Sequence, residues 1–188
     1  MTISTTQAKK LEQLWIGFHW LFFVDVQGLI ICLLRFENQL EANNLIEAEV
    51  ELATATKLML ASGSAMELAG SFSREEYEQQ VRPTMMPPQV RSENFSGLMS
   101  WDHALLMKIW KRLSPVFKTL PTELHAQHRE FVAAYLTLAN SHTAVCDQFG
   151  GSEKGSLRCS KSSAVSRLEL FGKNRLKLID PKRQCRNS

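Results

Sequence analysis

With 188 residues, 44% of them apolar and 22% charged, the chain has the composition of a soluble globular protein, which excludes the disordered, collagenous and disulfide-scaffold classes. A formal net charge of +3, with basic residues dispersed except over Lys173 to Arg186, argues against a nucleic-acid partner, and that stretch reads as a solvated helix end and tail. At about 150 residues per domain the expectation is a single helical domain over 1–188, with frayed tails at about 1–8 and 180–188. A chain of this length buries roughly 70% of its unfolded surface, so neither disulfides nor a structural metal is needed. Cys32, Cys146, Cys159 and Cys185 form no CxxC pair, which fits reduced thiols and a cytoplasmic location.

Strand signals are almost absent, and the punctuation divides the chain into helices. The first is expected from about Thr6 to Leu45, apolar on nearly all faces between Leu14 and Leu34, hence buried on most sides. That run is long enough to span a bilayer, but His19, Asp25 and Gln27 interrupt it. An Asp near the centre of a spanning helix costs about 2.5 to 3.5 kcal/mol, so a core helix is favoured over an anchor and no membrane partner is expected. A second helix over about Ile46 to Ala69 is rich in strong helix formers. The third opens on Ser73-Arg74-Glu75-Glu76, a capping box, and closes at Arg82-Pro83. Pro83 to Ser96 holds three prolines and two adjacent methionines without periodicity and reads as a long loop. The fourth helix, about Ser100 to Leu113, is expected to stop before Ser114-Pro115. The fifth, Thr122 to Phe149, ends at Gly150-Gly151. Gly150 to Ser163 reads as a mobile loop, and a last helix covers about Ser163 to Ile179.

The fifth helix carries the clearest pattern. Leu124, His128, Phe131, Tyr135, Leu138, His142, Val145 and Phe149 step by four and three along one face. His142 lies mid-stripe, so its imidazole aims at the core, where it is either a metal ligand or a histidine satisfied by a carbonyl or hydroxyl. His125 and His128, three apart, read as a surface pair rather than a metal site. Asp102-His103 reads more simply as a helix start favoured by the dipole than as an acid/base dyad. The methionines and tryptophans near Met85-Met86 and in the fourth helix read as core filling. No GxSxG elbow, phosphate-binding glycine loop or dinucleotide fingerprint is present.

Several segments, in order, resemble one superfamily. Phe22-Phe23-Val24-Asp25-Val26 in a long apolar helix, Tyr77 to Pro83 (YEQQVRP), Phe95-Ser96-Gly97, His128-Arg129-Glu130-Phe131 after Leu120-Pro121, and Leu138 to Phe149 (LANSHTAVCDQF) are similar to motifs of the indoleamine/tryptophan 2,3-dioxygenase superfamily, particularly the branch containing monodechloroaminopyrrolnitrin synthase. The resemblance spans roughly Leu14 to Ile179. Departures are the family's glycine-serine loop, here Gly97-Leu98-Met99-Ser100-Trp101, which bears on tryptophan as substrate, and Ala139 where some members carry an arginine three residues before the proximal histidine.

The resemblance implies an all-α bundle like the large domain of indoleamine 2,3-dioxygenase. It implies haem b with His142 as the proximal iron ligand, and an oxygenase using dioxygen on an indole or related aromatic metabolite in secondary-metabolite biosynthesis. Phe95, Gly97 and Ser100 would line the substrate pocket. Ser162 and Ser163 would hydrogen-bond substrate or a propionate from the closing loop, with Ser163 alternatively an ordinary cap of the last helix. No catalytic residue is singled out. The resemblance gives the small amino-terminal domain of longer relatives no counterpart here, which leaves three alternatives open: a truncated protein, one completed over the distal pocket by a second copy or a partner subunit, or a catalytically altered one. The competing reading is a cofactor-free helical interaction module with His142 as a structural core residue.

Overall fold

A computed structural model describes residues 5–88, 100–153, 155–156 and 159–182, with side chains described from residue 12 onward, together with Lys10, except in the strands before Ser163. The architecture is all-α: α1 (Thr5–Glu41), α2 (Leu45–Ala69), a short α3 (Arg74–Glu76), α4 (Trp101–Lys118), α5 (His125–Gln148) and α6 (Ala164–Ile179). α3 continues into a π-helical turn, Tyr77–Val81, and a 3-10 turn, Arg82–Met85, so the first residues of the expected long loop are helical. Residues 89–99, with Phe95 and Gly97, lie outside the described residues.

α1 ends four residues earlier than expected because the chain reverses at Ala42 to Asn44, where Asn43 adopts φ 56°. Asparagine tolerates this left-handed conformation better than most residues. α1 and α2 then form an antiparallel hairpin tied by the Arg35–Glu51 ion pair at 3.2 Å. α4 joins α1 through Gln27 Nε2 donating to Asp102 at 3.3 Å and Arg112 to Glu37 at 2.6 and 2.5 Å. α5 lies along α2, with Gln127 donating to Thr56 and Ser141 to Glu67. α6 runs back along α5, where Tyr135 donates to the Gly172 carbonyl at 3.1 Å. The core where these faces meet holds Leu33, Phe36, Leu52, Met59, Ile109, Leu113, Phe117 and Phe131, all essentially inaccessible.

α4 does not stop at Pro115. Leu106, Ile109, Trp110, Leu113 and Phe117 form a buried stripe that continues past the proline. Pro115 is on the exposed side, where the carbonyl it leaves without a donor meets water. Trp110 fills the core, but Trp101, expected as core filling, is 91% exposed. α1 is likewise not buried on most sides. It packs on α2, on α4 and on the π-helical turn at Tyr77–Val81, leaving Ile16, Trp20, Val24 and Ile31 on an exposed apolar face. By length and composition α1 is the one helix among the described residues apolar enough to cross a membrane.

The expected Gly150–Ser163 loop contains a short antiparallel hairpin, β1 (Gly155–Ser156) with β2 (Cys159–Ser163). Its entry is fastened by Arg74, which donates to both carboxylate oxygens of Glu153 at 2.9 and 2.7 Å. Gly150 at φ 79° terminates α5 as expected. The Ser73–Glu76 capping box also forms as expected.

Asp25 is 6% exposed, and its Oδ2 has no hydrogen-bond partner among the described residues. Burial pushes its carboxyl above the usual carboxylate range. A folded-state value raised above the unfolded one, about 3.9, means the group's stability contribution is intact below that pH and is lost as pH rises through the folded value. Asp25→Asn is therefore expected to melt higher than the parent at pH 8. The difference should close as pH falls toward about 4, and melting curves across that range check it.

Candidate functional site

His142 stands on α5 where the inward stripe passes from the core to a half-buried stretch. Two other elements act on it electrostatically. From α1 comes His19, whose Nδ1 donates to the Trp15 carbonyl at 2.9 Å, which leaves its Nε2 as the lone-pair nitrogen. From α6 comes Arg175. Burial first, then the Arg175 charge and then His19, push the His142 imidazole down to about 4. At neutral pH the ring is therefore uncharged, and one nitrogen carries an available lone pair. His142 makes no side-chain hydrogen bond among the described residues, so the carbonyl or hydroxyl partner expected of a structural core histidine is not found there. Cys146 follows one helical turn later, and burial, then Asp147, raise its thiol so that it stays protonated.

Arg175 is the hub of the cluster. Its Nη2 donates to His103 Nε2 at 2.7 Å, which fixes the His103 proton on Nδ1. It also hydrogen-bonds the Tyr135 hydroxyl. Burial lowers the Arg175 guanidinium from its ordinary value, while Tyr135 opposes that shift. Tyr135 in turn packs edge-on against Trp110, with centroids 5.5 Å apart. Beside the hub, a cleft of about 400 Å³ opens between α4 and α6, bounded by His103, Met107, Lys111, Phe171, Arg175 and Leu178. On its α6 wall Arg167 and Arg175 both lie over the Phe171 ring, 5.8 and 5.5 Å from its centroid.

The other histidines are committed elsewhere. His125 Nε2 donates to the Leu120 carbonyl at 2.9 Å, and His128 Nε2 to the Ile179 carbonyl at 2.7 Å. The two thus serve separate carbonyls rather than a shared metal. No group of three or more His, Cys, Asp or Glu side chains able to hold a metal ion is found among the described residues. A porphyrin iron asks less of the chain: a neutral imidazole with a free lone pair, and cationic groups for the propionates. His142 meets the first condition and Arg175 with Lys111 the second, so these side chains have the chemistry haem asks for, although His142 does not itself line the cleft.

The sequence-derived pocket residues fare differently. Ser100 caps α4 by accepting from the His103 N–H at 3.2 Å, and Ser163 caps α6 by accepting from Ser166, the simpler of its two readings. Ser162 lies in β2 with its side chain undescribed, and Phe95 and Gly97 are outside the described residues. Asp102 accepts from Gln27 while His103 turns to Arg175, so the two do not act as a dyad.

Sequence reasoning passed over Arg175, which it placed in a solvated helix end. The available signal was the spacing Arg167, Phe171, Arg175, which puts two guanidinium groups and a ring on one face of α6. His19 and His103, from separate helices, carried no local signal.

The SfmD 3-methyl-L-tyrosine peroxygenase family matches residues 3–127. A curated 3-methyl-L-tyrosine peroxygenase of Streptomyces lavendulae is 31% identical over 161 residues, covering 86% of this chain and 44% of that protein. The chain thus spans less than half the length of that relative. No solved structure matches. The dioxygenase branch is carried only by the short motifs given above, and these matches do not support it. They place the chain in another oxygen-transfer family: it belongs to the SfmD 3-methyl-L-tyrosine peroxygenase family.

Proposed function

We propose that this chain is the haem-binding part of a peroxygenase-type enzyme that hydroxylates an aromatic, amino-acid-like metabolite in a biosynthetic pathway. Family membership supports the reaction class. The observation that carries the site is His142, an imidazole held neutral, without a hydrogen-bond partner among the described residues, under the influence of the half-buried Arg175 cation. The peroxygenase activity of the Streptomyces lavendulae relative supports a peroxide as oxidant in place of the dioxygen expected from sequence. The balance is one oxygen atom inserted into an aromatic C–H bond to give C–OH, with hydrogen peroxide leaving as water.

When bound, haem supplies the oxygen-transfer chemistry. The chain's own residues do the rest. His142 offers the nitrogen that holds iron, and the positive charge of Arg175 opposes its protonation. His103 accepts from Arg175, which fixes where that cation sits. The apolar walls at Met107, Phe171 and Leu178 limit water around an aromatic ligand.

Cytoplasmic location, supported by unpaired Cys32 and Cys146, belongs to this proposal. So does a second copy or partner subunit, for which the exposed apolar face of α1 is the support. The test is to load the protein with hemin, add hydrogen peroxide and a tyrosine-type phenol, and follow products by mass spectrometry. A product heavier by one oxygen, carrying label from H₂¹⁸O₂, is expected. Label arriving from ¹⁸O₂ instead would return the oxidant to dioxygen.

A further inference from the structure

Arg175 presents an electrostatic imbalance. It is a half-buried guanidinium, and its polar neighbours are the His103 imidazole and the Tyr135 hydroxyl, neither of them an anion. Among the described residues no carboxylate lies within ion-pair distance of it. The other arginines in close pairs, Arg35, Arg74 and Arg112, each have a glutamate. A cation withdrawn from water without a counter-charge is costly, and a guanidinium is the side chain best shaped to take a carboxylate through two parallel N–H donors. Lys111 adds a second positive charge on the opposite wall, from α4. Between the two walls the lining is mostly apolar and aromatic, at Met107, Phe171 and Leu178, with Asn174 and His103 as its uncharged polar members.

We infer that the α4–α6 cleft is a carboxylate subsite, in which Arg175 and Lys111 take the anionic end of a flat aromatic ligand whose body lies along Met107, Phe171 and Leu178. Two molecules of the proposed reaction carry such a group: the cofactor, through its propionates, and an amino-acid substrate, through its α-carboxylate. The subsite itself rests on the cleft and its unbalanced charge. Only the identity of the carboxylate's owner rests on the peroxygenase reading.

The experiment titrates the full chain, and its Arg175→Met and Lys111→Met variants, with four probes: hemin, hemin dimethyl ester, L-tyrosine and tyramine. Lys111 is exposed and its replacement leaves the fold intact; circular dichroism and melting curves check both variants. If the cofactor owns the carboxylate, the parent prefers hemin to its diester by at least tenfold, and both variants shrink that preference. If the substrate owns it, the parent prefers L-tyrosine to tyramine, and the variants erase that preference while hemin and its diester bind alike. Either result supports the subsite. A parent that discriminates in neither pair, or discrimination that survives both substitutions, overturns it. Absence of hemin binding with an Arg175-dependent preference for L-tyrosine would sink the haem reading and leave the subsite standing.

Discussion

His142→Ala is expected to weaken hemin binding by about 100-fold or more, since losing even the groups that orient a metal ligand costs 10- to 100-fold. The Soret band of the loaded protein should revert to that of loosely associated hemin. Because the His142 ring makes no hydrogen bond among the described residues, the variant should keep the helical circular dichroism of the hemin-free parent and a melting point close to it. The control is His128→Ala. His128 anchors the end of α6 through the Ile179 carbonyl and stacks on Phe117 at 4.7 Å. Its loss should lower the melting temperature while leaving the hemin spectrum in place. Optical titration together with thermal melts of both variants separates a ligand from a structural histidine. Retention of parental affinity by His142→Ala would remove the assignment.

Phe117→Ala should produce the largest loss of stability. The ring is 1% exposed and meets Phe36, His128 and Phe131 with centroids 6.2, 4.7 and 6.2 Å away. It thus joins α4 to α1 and α5 at the centre of the core. Emptying such a site costs about 3 to 5 kcal/mol through lost transfer energy and the cavity left behind. For a chain of this length that lowers the melting temperature by about 6 to 20 °C. Phe117→Leu, which refills most of the volume, should cost well under half as much. Urea unfolding with an unchanged m-value checks both; a fall below 1 kcal/mol for the alanine variant would show that the turn beyond Pro115 is not packed as described.

What was legible in the sequence is what local chemistry decides. The α5 stripe, the Ser73–Glu76 box and the glycine stop at Gly150 each arise from residues within a few positions of one another. The outer face of α1 was not legible, because a helix apolar on nearly all sides does not say which side its neighbours cover. Pro115 misled for a related reason: whether a helix tolerates proline depends on which face is wet, and that is set by the packing of Leu113 and Phe117. Of the candidate site, only His142 was readable, since its stripe aimed it inward. Its companions come from His19 on α1, His103 on α4 and Arg175 on α6, and only folding brings such distant positions together. Arg175 looked like one more cation near a basic tail, and its burial is a tertiary fact.

The most direct measurement is an optical titration of the purified chain with hemin under reducing and oxidising conditions. The account predicts saturation at one equivalent, with a sharpened, red-shifted Soret band that changes on reduction as expected for imidazole-bound iron. A spectrum that remains that of free hemin at every ratio would contradict it.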